Sequence, residues 1–284
     1  MSTPINHHYV SQCQIRNFFN GQDKLIYCYD KQLDNYFSKS TTKSLFSEEF
    51  SNTRVGTNDE LDHETLENEL NLYFEQDFEK HSRNVVELAN NPHNNDDTKL
   101  ESLYYLVLYA LIADIRIPEN KKNIDESYAT LMRETAMKVR MLGDEKQADE
   151  IEKSLINDKT KYSNVVHYTE IAASRLAKMG DLDFNVYAIG KSSDKFLLPD
   201  IGCIQMRERF NNYINPYIQE VAIVGIPLTD KVFIFACSKK LGDTSSGVTT
   251  NNDENSLIVK GINTQLFEMS IKTVATGDPH HLKN

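Results

Sequence analysis

The spacing of apolar residues changes along the chain. Near its start, Ile15, Phe18 and Phe19 share one helical face. Ser11 and Gln14 stand at the S-x-x-Q spacing of a capping box, and Val10 and Ile15 flank it as a hydrophobic staple. The pattern predicts a helix from Gln12 to Asn20, ended by Gly21. In "KLIYCYDK" and "DNYFSKS", Tyr27, Tyr29, Tyr36 and Phe37 lie on either side of turn-forming residues, which predicts a β-hairpin. Residues 51–60 are polar and predict a loop.

The middle of the chain follows a helical period. Leu66, Leu70, Phe74 and Phe78 recur every four residues, and Val85 and Leu88 continue the stripe. "NNPHNNDD" is a loop, and Thr98 with Glu101 forms a second capping box opening an apolar helix to Ile115. Pro118 disfavours helix at Ile117 and suits the first turn of the next helix, which carries Ile124, Tyr128, Leu131 and Val139 and stops at Gly143. Further helices are predicted at 145–157 and 164–179, the last ended by Gly180.

Past Gly180 the period shortens. "FNVYAI", "KFLLPDIGCIQM", "YIQEVAIVGIPLTD", "KVFIFACSKK" and "NSLIVKG" predict strands broken by Gly, Pro and Asp. "LGDTSSGVTTNNDEN" predicts a long loop or a hairpin tip, and Asn263 is placed to cap a final helix, "TQLFEMSIKTVAT". This order predicts an α+β fold: N-terminal helix and β-hairpin, large helical middle, and C-terminal antiparallel-rich sheet with a closing helix. The expectation is a single domain over 1–284, with sub-parts at 1–57, 58–180 and 181–284.

Composition narrows the class. With 39% hydrophobic and 26% charged residues the chain reads as a globular protein. A net charge of −11 argues against a surface that grips phosphates everywhere, though not against a local patch. The longest apolar run, 103–115, is shorter than the roughly 20 residues a membrane span needs, so no membrane partner is expected. The first twenty residues lack a signal-peptide core, and Cys13, Cys28, Cys203 and Cys237 are widely spaced. Reduced, buried thiols and a cytoplasmic location are expected. His280 and His281 fall in a polar tail.

Several stretches together carry a likeness: "HHYVSQCQIRNF", "LIYCYDK", "ADIRIP", "KFLLPDIGCIQM", "GIPLTDKVFIFA" and "INTQLFEMSIKTVATG". In this order they resemble a widespread, largely prokaryotic family of unknown function. Its members open with HHYVPQ, and later show an SDNP step and a closing helix. The chain departs from that pattern at Ser11, where the family has proline. It departs again at Pro199-Asp200-Ile201-Gly202, which keeps only the aspartate of SDNP. The resemblance implies no settled reaction; its flavour points to mobile-element conflict or defence as a setting.

The candidate chemistry is sparse. His8 precedes the first helix, with Gln12 in its first turn and Arg16 one turn further. His8 could serve as a general acid or base while Gln12 and Arg16 hold a phosphate or carboxylate at the helix start. The favoured alternative is that His8 and Gln12 satisfy backbone groups and lock the helix to the core. Asp200 could be a base or a ligand for a divalent metal ion, or an ordinary turn residue. Arg116 could hold an anion, or simply complement a helix C-terminus. Lys121, Lys122, Arg133, Lys138 and Arg140 tint one helix basic, but Glu119, Glu126 and Glu134 interrupt it. No GxxxxGK[ST], GxGxxG, HExxH or GxSxG motif is present.

Two functions follow. One is a hydrolase, nuclease-like or acting on nucleotides, with His8 and Asp200 catalytic and Gln12, Arg16 and Arg116 binding substrate. The other is a non-catalytic sensor or a module that binds a protein partner.

Overall fold

The computed structural model describes residues 6–55, 60–93, 96–155, 162–164, 167–209, 219–242, 244–254 and 256–282. The chain begins with strand β1 (Asn6–His8) and a short helix α1 (Gln12–Arg16). The Oγ of Ser11 accepts the Gln14 N–H at 3.5 Å, as the capping pattern predicts, but the helix ends at Asn17 and not near Gly21. Strands β2 (Ile26–Asp30) and β3 (Asn35–Lys39) form the expected hairpin. β4 (Ser47–Glu49) pairs back on β1. The stretch read as a loop contributes half of a short ribbon, β5 (Arg54–Val55) with β6 (Leu61–Asp62).

The predicted helix over 66–88 divides into α2 (Thr65–Leu70), a π-helical turn at Asn71–Glu75, and α3 (Phe78–Asn90). Next come α4 (Asp97–Arg116), α5 (Pro118–Met141), α6 (Glu145–Leu155) and α7 (Tyr168–Met179). The cap of α4 is Asp96, whose side chain accepts the Lys99 N–H at 3.0 Å, and not Thr98. Residues 156–157 of the helix predicted at 145–157, and 165–166 of that predicted at 164–179, lie outside the described residues. No described helix is long and apolar enough to cross a membrane.

The C-terminal part holds β7 (Leu182–Ile189), β8 (Leu198–Pro199), β9 (Ile204–Glu208), β10 (Glu220–Pro227), β11 (Val232–Ser238), β12 (Gly247–Asn251), α8 (Leu257–Met269) and β13 (Thr273–Thr276). Tyr217 and Ile218, read as part of a strand, lie outside the described residues. Five strands make one sheet in the order β12-β7-β11-β10-β9, and four make another in the order β3-β2-β13-β8. Among the described residues every pairing is antiparallel except β12 with β7, which is parallel. The polar insertion thus supplies an edge strand rather than a bare loop.

Two readings of the tail are corrected. "NSLIVKG" is not a strand: from Leu257 it is helix, because Val259, Ile262 and Leu266 bury one face at helical spacing while Leu257 is 86% exposed. "IKTVAT" is not helix: Val274 and Ala275 are buried between β2 and β8. Asn263 lies inside α8, where its side chain accepts the Leu197 N–H and donates to the Lys195 carbonyl.

Alternation along the large sheet feeds two cores. Phe184, Val186, Ile234 and Ala236 face the helices α3, α4 and α7, while Ile189, Phe233 and Ile204 face α8. Burying each of the valine, isoleucine and phenylalanine side chains among these contributes roughly 1.5–3 kcal/mol. Gly225 has no side chain because a Cβ there would stand 2.6 Å from Ile204 Cγ1. The smaller sheet covers a third cluster containing Val10, Ile15, Phe18 and Ile26. The thiols of Cys13, Cys28 and Cys203 are buried and unbridged, and burial pushes them up to about 11, 12 and 12.

Candidate functional site

The N-terminal segment is stitched into the rest of the chain by polar side chains. The Nε2 of His8 donates to the Thr42 carbonyl at 2.9 Å, since a carbonyl can only accept. Its Nδ1 then accepts from Gln12 Nε2 at 3.3 Å, and Gln12 Oε1 accepts from the Thr42 hydroxyl at 2.7 Å. His8 and Gln12 are thus joined, with both imidazole nitrogens in use. α1 is a single turn, too short to present a strong helix terminus.

Arg116 joins this network from α4. Its guanidinium donates to the His8 carbonyl and, at 2.6 Å, to Glu75 on the π-helical turn. Burial alone would lower its pKa, but the carboxylates of Glu75 and Glu67 raise it, so it stays charged. Arg16 instead forms an exposed pair with Glu79 at 3.3 Å.

Gln14, absent from the sequence candidates, holds more of the fold together. It is fully buried, and its Nε2 donates to the carbonyls of Gly202 and Pro227, both at 3.0 Å. Its Oε1 accepts from Tyr109 at 3.0 Å, and Tyr109 meets Ser11 at 2.7 Å. The Ser11 hydroxyl is therefore a member of this chain of bonds. Lys121 belongs to the basic tint of α5 but does not face solvent. It is buried, with its ammonium on the Ser51 carbonyl at 2.9 Å, Asn164 Oδ1 at 2.8 Å and Asn52 Oδ1.

Asp200 lies in the turn between β8 and β9. One oxygen accepts the Ile271 N–H at 2.9 Å; the other accepts Lys272 and Thr273 at 2.7 and 2.8 Å. Burial pushes its carboxyl above the usual range, against those three bonds. The turn ends at Gly202 with φ +71°, a left-handed conformation that glycine adopts without strain. His8 and Asp200 share no hydrogen bond. Among the described residues, no three His, Cys, Asp or Glu side chains are grouped to hold a metal ion.

A cleft of about 560 Å³ opens elsewhere, between α4, α5, α7 and β9. Asp114, Arg175 and Arg207 line it together with Ile124, Tyr128 and Leu131. Arg175 pairs with Asp114 at 2.8 Å, and Arg207 approaches the same oxygen at 3.6 Å. None of His8, Gln12, Arg16, Arg116 or Asp200 lines this cleft.

The sequence profile of DUF4238, described as a protein of unknown function, matches residues 6–280. The chain belongs to this family. The DUF4238 match runs from β1 past β13, so the N-terminal network, Asp200 and the cleft all lie within it. No curated protein and no solved structure matches the chain.

Proposed function

We propose that this DUF4238 chain is a non-catalytic sensor or binding module, in which the His8 and Asp200 regions brace the fold. The supporting observation is that the groups required for acid–base chemistry are already engaged. His8 uses both ring nitrogens on Thr42 and Gln12, and Asp200 uses both oxygens on backbone N–H groups. A general base must reach the proton it removes, so each group would first have to leave bonds within the fold.

The competing proposal is a hydrolase of a nucleic acid or nucleotide, aided by a divalent metal. Incubation with DNA, RNA and nucleoside triphosphates in Mg²⁺ or Mn²⁺ separates the two. No turnover above a protein-free blank is expected from the wild type. Turnover that His8→Gln abolishes while the circular dichroism stays native would overturn the non-catalytic reading.

A further inference from the structure

The cleft between α4, α5, α7 and β9 combines features of a ligand site. Its volume, about 560 Å³, falls within the roughly 300–1,000 Å³ common for small-molecule pockets. Asn120, Asn123, Ile124, Ser127, Tyr128 and Leu131 recur three or four residues apart and form one wall along α5. The near end of this wall is fixed, because Asn120 Nδ2 donates to Asp114 Oδ1 at 2.9 Å and to the Asp114 carbonyl at 2.7 Å. Leu131 stands about 16 Å further along the helix axis at 1.5 Å per residue. The wall therefore runs from a charged end to an apolar one.

The charged end carries two guanidinium groups against one carboxylate. Arg175 is positioned twice, on Asp114 Oδ2 at 2.8 Å and on the Leu111 carbonyl at 3.1 Å. Arg207 reaches that oxygen only at 3.6 Å, beyond hydrogen-bond range, and its side chain is 43% exposed. An incoming oxyanion would gain a charge-assisted bond from Arg207 that Asp114 does not supply.

We propose that this cleft binds a small molecule with a phosphate or carboxylate head on an apolar body. The head lies at Arg207 and Arg175, and the body lies along Ile124, Tyr128 and Leu131. This deepens the binding-module reading by giving it a ligand class.

Titration calorimetry with phenyl phosphate, benzoate, inorganic phosphate and benzyl alcohol tests it. Phenyl phosphate or benzoate should bind at least fivefold more tightly than inorganic phosphate or benzyl alcohol, and the better of the two names the head group. Arg207→Gln should weaken that probe about tenfold, the loss of one charge-assisted contact, and leave benzyl alcohol unchanged. The proposal is overturned if neither acid binds, if inorganic phosphate binds as tightly, or if Arg207→Gln binds like wild type. Release of phenol in the same samples would overturn the non-catalytic reading instead, leaving the affinities to decide the cleft.

Discussion

Asp200 and Asp114 each accept several hydrogen bonds, but from different kinds of donor. The donors to Asp200 are backbone N–H groups of Ile271, Lys272 and Thr273, at the entry to β13. Those to Asp114 are the side chains of Arg175 and Asn120, with Arg207 nearby. Backbone donors cannot leave without moving a strand, whereas side-chain donors can rotate toward another acceptor. The first carboxylate therefore fixes geometry, and the second can yield its partners to a ligand. Exposure follows the same division: Asp200 is 4% exposed, while the Asp114 side chain is 18% exposed.

The most severe way to break this contrast is Asp200→Ala. Three N–H groups would lose their acceptor, and that of buried Thr273 would recover little from water. At about 1 kcal/mol for each hydrogen bond lost, the destabilisation should be roughly 3 kcal/mol, read as a lower urea midpoint. A loss below about 1 kcal/mol would show that the clamp is not a brace.

Gln14→Leu examines the same seam with a smaller effect. The side chain keeps about the same volume, but the Gly202 and Pro227 carbonyls and the Tyr109 hydroxyl each lose a partner. Roughly 2 kcal/mol of destabilisation is expected by urea unfolding. A neutral result would place the strength of the seam in the apolar packing of Val10, Ile15 and Phe18 instead.

Elements whose burial follows their own period were legible in the sequence. α4 and α5 meet at Ile117-Pro118 as the proline predicts, and β7 and β11 alternate between two cores. "IKTVAT" was not legible, because its strand state comes from partners at residues 26–30 and 198–199. The long-range polar contacts were equally hidden. Arg116 stood out as a helix-end cation, but nothing local indicated that Glu75, forty-one residues away, would meet it. Gln14 was visible only as a capping-box member, and its buried partners lie near residues 109, 202 and 227. In the cleft the α5 stripe was partly visible through Ile124, Tyr128 and Leu131. Arg175 and Arg207 arrive from other elements, and their convergence required the fold.

Asp114→Asn sharpens the contrast from the other side and should have the smallest effect on stability. Its ion pairs are partly exposed, so the loss should stay within about 1 kcal/mol. Affinity should move the opposite way. The substitution removes the internal carboxylate that competes for Arg175 and Arg207, so phenyl phosphate or benzoate should bind several-fold more tightly. The gain should shrink as salt rises, because these guanidinium groups reach solvent and are screened. Calorimetry at low and high ionic strength measures both. Weaker binding in Asp114→Asn would mean that the carboxylate's hold on Arg175 matters more than its competition. Asp114 would then be a positioning residue like Asp200, and the distinction between the two aspartates would fail.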